Sequence, residues 1–511
     1  MAAAIEDDQT QPEAAGDKRA SALRKAAAGR PWPEWSALTL FAALVAFAIP
    51  SHEPFVDEAQ AWQLARTLPL GSLFTTYLRY EGSPGLWHFL LWIMNRLHVS
   101  YAGMHWISGA IAVAGVSLLI FHSPFPRWLK LSLPFTYFLL FQYAVVARNY
   151  VLAPLLLFLV ALNWKKSPWI TVVGLGLLAN VSLHTAVISG GLACIYAIEQ
   201  IRNPVSAPVR NRRKLLGCTL LLLGLYAFAI WTAWPAHDMN LQRLRDVSPP
   251  FFIAAVQSLT TAVCQPPLLS VPFWGVVALW FLAQRKFLYL LPVLLFAIFS
   301  GAVYFTWWHA GLLIPALICL LWINWPEPGA GAGEFGRSCR VALMVMTATQ
   351  ILWSGYALYH DRYFLYSPDR AAAGFLKPFV DQGDRIAVTY VKNLRVSNGK
   401  ANTSVGIQPY FDRNIFVNTP YSFWWWSDRD PSQDRYEAVL PSHPEIVVVE
   451  DIENRSIQPI GFDHPEFEIL AKEGYRYRDA FCAAVPIGLR PQFSVCHVIF
   501  EYSGKAGGPG T

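Results

Sequence analysis

Three long stretches of this chain carry almost no formal charge. Between Lys130 and Lys165 the only charged side chain is Arg148, and none lies between Ser167 and Ile198 or between Phe287 and Pro326. Connectors holding lysine or arginine, such as Lys165–Lys166 and Arg285–Lys286, flank them. One helical crossing of a bilayer takes about 20 apolar residues, so each stretch has the length of a transmembrane hairpin. The Ser167–Ile198 block is the tightest, which implies short or tilted helices. Composition agrees: 54% of residues are hydrophobic and 14% charged, against roughly 25% charged in soluble domains. The net charge of +6 comes from short basic clusters between apolar runs rather than a continuous stripe, so it marks topology and excludes a nucleic-acid partner. The implied partner is the lipid bilayer.

Lysine and arginine in short connectors stay on the cytosolic side, so a block with bases at both ends crosses an even number of times. Each of the three is read as two helices. Residues 34–50, 104–121, 215–234, 268–284 and 341–359 add single crossings, about eleven in all. The predicted fold class is a polytopic α-helical membrane protein with a C-terminal extracytoplasmic α/β domain. Residues 1–33 form a disordered cytosolic tail, 34–360 the transmembrane part with a first outer loop at 51–103, 361–503 the α/β domain and 504–511 a flexible tail. Within the first outer loop, residues 84–97 are apolar but too short to cross, and read as an interfacial helix.

In the α/β domain, "RIAVTYV" (385–391), "EIVVVED" (445–451) and "CHVIFEY" (496–502) read as buried strands between polar helical segments. Ser367 and Pro368 suit the N-cap and first position of a helix. Cys482 and Cys496 are either a disulfide in an oxidising compartment or two buried thiols, since spacing does not fix their geometry. The Trp424–Trp426 run is unusual for a water-facing surface, and would rest on a bilayer or stack on a sugar or prenyl chain.

This topology puts four polar insertions on one face: Asp57 and Glu58 in the first loop, Arg148 with Asn149, His184, and His309. Ionisable groups at membrane depth are costly and invite a functional explanation. An Asp-Glu pair at a helix start has an ordinary role in satisfying the helix N-terminus. Its catalytic role would be as general base, taking a proton from an acceptor group. Neighbouring helical side chains diverge by roughly 100°, so one acid meets the reacting centre, and Asp57 is that residue. Glu58 would then orient the acceptor or help hold a divalent cation, Mg or Mn.

Arg148 either extends to lipid headgroups or pairs with a lipid-linked phosphate. His184 and His309 are either packed core histidines or hydrogen-bond donors to a phosphate or sugar. The turn "EGSPGLW" brings Tyr80 and Glu81 near the acids, with Ser83 as N-cap of the next helix. The sequence holds no Walker A loop, dinucleotide fingerprint, zinc-ligand spacing or serine-hydrolase elbow. That points to an activated donor already in the membrane.

The order of "VDEAQAW", "EGSPGLW" and "ARNYVLAPLLLF" over residues 36–325 resembles the GT-C superfamily of membrane glycosyltransferases, and within it the bacterial branch of the protein-mannosyltransferase and aminoarabinose-transferase family. The resemblance implies a catalytic Asp57 followed by Glu58, with "GSPGL" in place of the family's "HPPL" turn. "ARNYV" corresponds to its "SR.YA" element, giving Arg148 and Tyr150. "WWHAG" supplies His309 and Gly311 of an Arg-His-Gly type element without its arginine. It also implies a polyprenyl-phosphate-linked sugar as donor, inversion at the anomeric carbon and a cell inner membrane. The expected assignments are therefore Asp57 and Glu58 catalytic, Arg148 and His309 on the donor phosphate, and Tyr80, Glu81, Tyr150 and His184 on substrate. The acceptor is a lipid, glycan or protein. A transporter or flippase of a lipid-linked or amphipathic solute is the rival reading.

Overall fold

The computed structural model of the 511-residue chain describes residues 31–202, 212–237, 249–264, 266–326, 334–390, 403–419, 436–453, 465–487 and 490–504. Residues 1–30 and 505–511 of the two expected tails, and Trp424 to Trp426, lie outside the described residues.

Apolar helices packed around one extended core form the larger part, and a small sheet closes the C-terminal end. Among the described residues, four helices are long and apolar enough to cross a membrane: Tyr101–His122, Arg213–Ala233, Trp307–Asn324 and Gly336–Tyr363. Others, among them Trp32–Ala48 and Pro168–Ala179, are apolar but of 10–17 residues, below the length of a straight crossing. Phe251–Thr260 is a helix in a stretch where the sequence reading placed no crossing.

The helices that position the site are α1 (Trp32–Ala48), α2 (Val56–Thr67), α3 (Leu86–Arg96), α4 (Tyr101–His122), α5 (Leu152–Asn163), α6 (Pro168–Ala179), α7 (Leu183–Arg202), α8 (Leu313–Asn324) and α9 (Glu334–Tyr363). The expected hairpin from Lys130 to Lys165 has only its returning helix, α5. Its leading half is broken into a short helix (Arg127–Ser132), a 3-10 turn (Leu133–Phe135) and a π turn (Phe138–Gln142). Pro134 in the 3-10 turn lacks an amide donor, and Thr136 is extended. The chain then turns back through residues 143–148 and presents Arg148 in extended conformation just before α5. Gly311 lies against this broken segment, where a Cβ would collide with the Phe138 ring.

In the C-terminal domain the strands β1 (Ile386–Tyr390), β2 (Ile446–Glu453), β3 (Tyr475–Ile487) and β4 (Arg490–Tyr502) form one sheet in the order β1-β2-β4-β3. β1 and β2 pair in parallel, and the other pairs are antiparallel. Alternation along the strands serves both faces: Val388, Ile446, Val448 and Ile499 pack under α10 (Asp369–Gln382), while Val447, Val449, Val498 and Phe500 pack under α11 (Pro465–Lys472). Three strands coincide with the expected ones. β3 is additional, because its "YRYRDAFC" alternation is diluted by exposed charges. Cys482 and Cys496 are register partners on β3 and β4 and form a disulfide. Helix α10 starts one residue later than its sequence suggests: Pro368 is the flanking residue, and Ser367 bonds the Asp369 amide and carboxylate.

The C-terminal domain is fastened to the 51–103 loop. Arg66 donates to the Phe411 carbonyl at 2.9 Å, and Arg370 to the His52 carbonyl at 2.6 Å. His52 Nδ1 meets Asp361 of α9 at 2.9 Å.

Candidate functional site

Helix α2 begins immediately after the extended residue Phe55, which makes Asp57 and Glu58 its second and third residues. Acids are favoured there by the helix dipole and the unpaired amides. The two side chains nonetheless go to different places. Glu58 reaches back and accepts the Phe55 amide at 2.8 Å, one half of a capping box. His52 Nε2 stands 3.4 Å from that same oxygen, Oε2, while Oε1 accepts from His105 Nε2 at 3.0 Å and from the Ala147 amide at 2.7 Å. The carboxylate is fully buried. Burial opposes its charge, but His105 and His52 hold it far below the usual carboxylate range. Burial likewise opposes a charge on His52, yet Asp361 and Glu58 push that imidazole up to about 10. Both Glu58 oxygens thus accept hydrogen bonds inside the protein, and the residue is not brought to the cavity that Asp57 lines.

Asp57 points the opposite way and lines a cavity of about 200 Å³. Its Oδ2 lies 2.8 Å from Arg148 Nη2. The guanidinium also lies over the Tyr150 and Trp308 rings, at 5.1 and 5.0 Å from their centroids. Glu58 and Ala147 are the chain neighbours of this pair. Their hydrogen bond locks the two backbones together directly behind the ion pair.

The remaining wall comes from three turns. The first, after Glu81, carries two left-handed glycines, Gly82 at φ 60° and Gly85 at φ 102°. Gly85, not Ser83, caps α3; Ser83 instead donates to the Val181 carbonyl at 3.1 Å, which Asn149 also reaches at 2.8 Å. This shared acceptor between α6 and α7 aligns the Glu81 turn with the Arg148 turn. Glu81 lines the cavity and accepts from Gln60 at 3.3 Å. Burial pushes its carboxyl up to about 7, opposed by Gln60 and Arg148 and reinforced by Asp57. His88 lies 3.9 Å from Glu81, and burial pulls its imidazole down to about 4, so it is neutral at pH 7.

The structure thus brings Asp57, Glu81, Arg148, Tyr150 and His309 to one cavity. His309 Nδ1 is 2.5 Å from Thr306 Oγ1, so the other ring nitrogen is the one available to a ligand. His184 lies behind it, ring on ring at 4.0 Å and 11°, and acts by fixing the His309 plane. Tyr80 is buried outside the cavity lining, at the end of the short Tyr77–Tyr80 turn. Gln60, His88, Tyr304, Thr306 and Trp308 join the lining without having been expected. Gln60 had a signal, since it follows Asp57 by three residues and shares its helix face. No protein-family model matches the chain, and no curated protein or solved structure is found similar to it.

Proposed function

We propose that the protein is a membrane glycosyltransferase that moves a sugar from a polyprenyl-phosphate donor to an acceptor at the extracytoplasmic face, inverting the anomeric carbon. The observation that carries this reading is the Asp57–Arg148 pair on the cavity wall: a candidate base and a candidate phosphate holder within one bond of each other. The topology that suits it has about eleven crossings in a cell inner membrane, a cytosolic N-terminus and an extracytoplasmic C-terminal domain, as the basic connectors suggest.

An arriving phosphate competes with Asp57 for the guanidinium, whose planar fork suits phosphate oxygens. As Arg148 turns to the phosphate, the Asp57 carboxylate is released as an acceptor for a proton. The acceptor nucleophile attacks C1, Asp57 takes its proton, and the C1–O electron pair leaves with polyprenyl phosphate. Arg148 and the free nitrogen of His309 stabilise the growing charge on that oxygen in a site shielded from water. Glu81, close to half-protonated at pH 7 by its upward shift, is suited to hold a sugar hydroxyl as donor or acceptor.

Purified protein given labelled polyprenyl-phosphate sugars tests the reading. Asp57→Asn should remain folded and release less than about one hundredth of the wild-type polyprenyl phosphate; near-normal turnover would refute the role of Asp57. Solute movement across vesicles without release would instead establish a transporter or flippase.

A further inference from the structure

Outside that cavity, His52 from the segment after α1, Glu58 from α2 and His105 from α4 converge in the interior. Their relative exposures are 1%, 0% and 3%, so the three groups face one another rather than bulk water. One ligating atom from each lies within 4.8 Å of the other two. We propose that His52, Glu58 and His105 bind a divalent transition-metal ion, with zinc the best fit to their chemistry.

One of the two imidazole–carboxylate distances has the length of a metal-site edge, and the other, 3.0 Å from His105 Nε2 to the second Glu58 oxygen, is a few tenths of an ångström shorter. Bonds of about 2.0–2.1 Å at tetrahedral angles set neighbouring donor atoms about 3.3–3.4 Å apart. The His52 Nε2 to Glu58 Oε2 separation of 3.4 Å matches that edge and is long for a hydrogen bond to a carboxylate. Two imidazoles with one carboxylate suit zinc better than the Mg or Mn that an Asp-Glu pair would take. The pair expected to share a cation is split, since Asp57 faces the cavity and only Glu58 faces the histidines.

The surroundings fit as well. Asp361 sits 2.9 Å from His52 Nδ1, the carboxylate–imidazole arrangement that fixes the ring and directs Nε2 at the ion, which takes the place of the Nε2 proton on binding. Glu58 and Asp361 together supply two negative charges, which a dication would balance. Each Glu58 oxygen keeps its backbone amide on one lone pair and has another for the ion. Tyr101, whose hydroxyl is buried without a hydrogen bond among the described residues, sets its ring edge against His105 at 6.2 Å. Both residues line a second cavity of about 910 Å³ that reaches Arg370 and Tyr410 of the C-terminal domain. That cavity gives an ion a route in and leaves room for a fourth, solvent ligand.

The ion would act as a positioning element. Through Glu58 it ties the start of α2 to α4 and, by the Ala147 amide, to the turn carrying Arg148. Asp57 and Arg148 each follow or precede a residue held in this way.

The test uses the full chain, stripped with chelator, incubated with Zn²⁺, desalted and assayed for metal by mass spectrometry. Wild type should retain one zinc per chain. His105→Ala and His52→Ala should lose it, while Asp57→Asn and His309→Ala keep it. Co²⁺ loaded into wild type should give the visible absorption of a low-coordinate nitrogen-ligated ion, a readout that stands if the histidine variants fail to fold. Wild type that retains no zinc and shows no cobalt band overturns the proposal, leaving Glu58 merely hydrogen-bonded to two imidazoles. Zinc lost on Asp57→Asn but kept by His105→Ala also overturns it, because the ion would then sit in the first cavity. No sugar donor is present in these measurements, so their outcome is separate from that of the transfer assay.

Discussion

Replacing Arg148 probes the donor side of the proposed reaction without knowledge of the sugar, because polyprenyl phosphate alone carries the group that Arg148 is proposed to hold. Arg148→Lys keeps the charge but removes the fork and the planar stack over Tyr150 and Trp308. Losing one charge-assisted hydrogen bond costs about 1.5–3 kcal/mol, and weaker cation–π packing about 0.5–1 kcal/mol more. Part of this is offset in the free protein, where the 2.8 Å bond to Asp57 is also weakened and the phosphate has less to displace. A net loss of about 2–3 kcal/mol corresponds to a Kd raised roughly 30- to 150-fold. Arg148→Ala removes the charge and leaves Asp57 unpaired, which repels a phosphate, so its loss should exceed that of lysine. Titration of detergent-solubilised protein with polyprenyl phosphate, read by tryptophan fluorescence or calorimetry, measures both variants. If the Kd of each stays within about threefold of wild type, Arg148 does not hold the phosphate.

Glu81 makes stability depend on pH in a defined direction: its folded value of about 7 lies above the ordinary carboxyl value of 4.5, so the folded state binds the extra proton. Its contribution is complete below pH 4.5 and is lost as pH rises to about 7. Glu81→Gln should accordingly lessen the fall in thermal midpoint between those limits; an unchanged slope counts against the buried neutral carboxyl. Glu58 acts in the opposite sense, since its folded carboxyl is held low and its stabilisation is present at neutral pH and declines as pH falls below its ordinary range. Glu58→Gln, which turns one accepting oxygen into a donor facing other donors, should destabilise by about 3–5 kcal/mol, and wild-type thermal stability in that variant would remove Glu58 from its bracing role. At Gly85, φ 102° and the nearby Leu78 and Phe74 side chains make alanine cost about 1–2 kcal/mol, visible as a lowered thermal midpoint.

Parts of this arrangement were legible in the residues themselves, for reasons that can be traced. Asp57 and Arg148 stand out because charge is scarce around them, and scarcity makes each charge costly and local. The divergence of successive helical side chains alone separates Asp57 from Glu58. The sheet showed itself wherever both faces are covered, as in β2, where Val447 and Val448 are both fully buried. It was hidden in β3, whose Arg476 and Arg478 face solvent. The broken half of the Lys130–Lys165 hairpin was not legible from charge, which counts crossings but is blind to a proline that interrupts one. Nor were the partners of Glu58: His52 and His105 lie 6 and 47 residues away, and no local spacing rule spans the second interval.

Those hidden partners explain why two adjacent acids serve unlike ends. A catalytic carboxylate must be partly exposed, movable between an ion pair and a proton, and close to a guanidinium that would otherwise hold it shut. On the proposed mechanism such a group gives little rigidity to its own helix start, since its bond to Arg148 would open in each cycle. Glu58 carries the rigidity instead, through two backbone amides and two imidazoles from three separated segments, among them a 2.7 Å bond to the residue before Arg148. In the proposed reaction the ion pair would then open while its two backbones stay fixed, and Asp57 would return to the same place after each phosphate departs. An acid pair at a helix start is therefore read here as one movable group and one anchor, and exchanging the two as Asp57→Glu with Glu58→Asp should impair both, although charge and composition are unchanged.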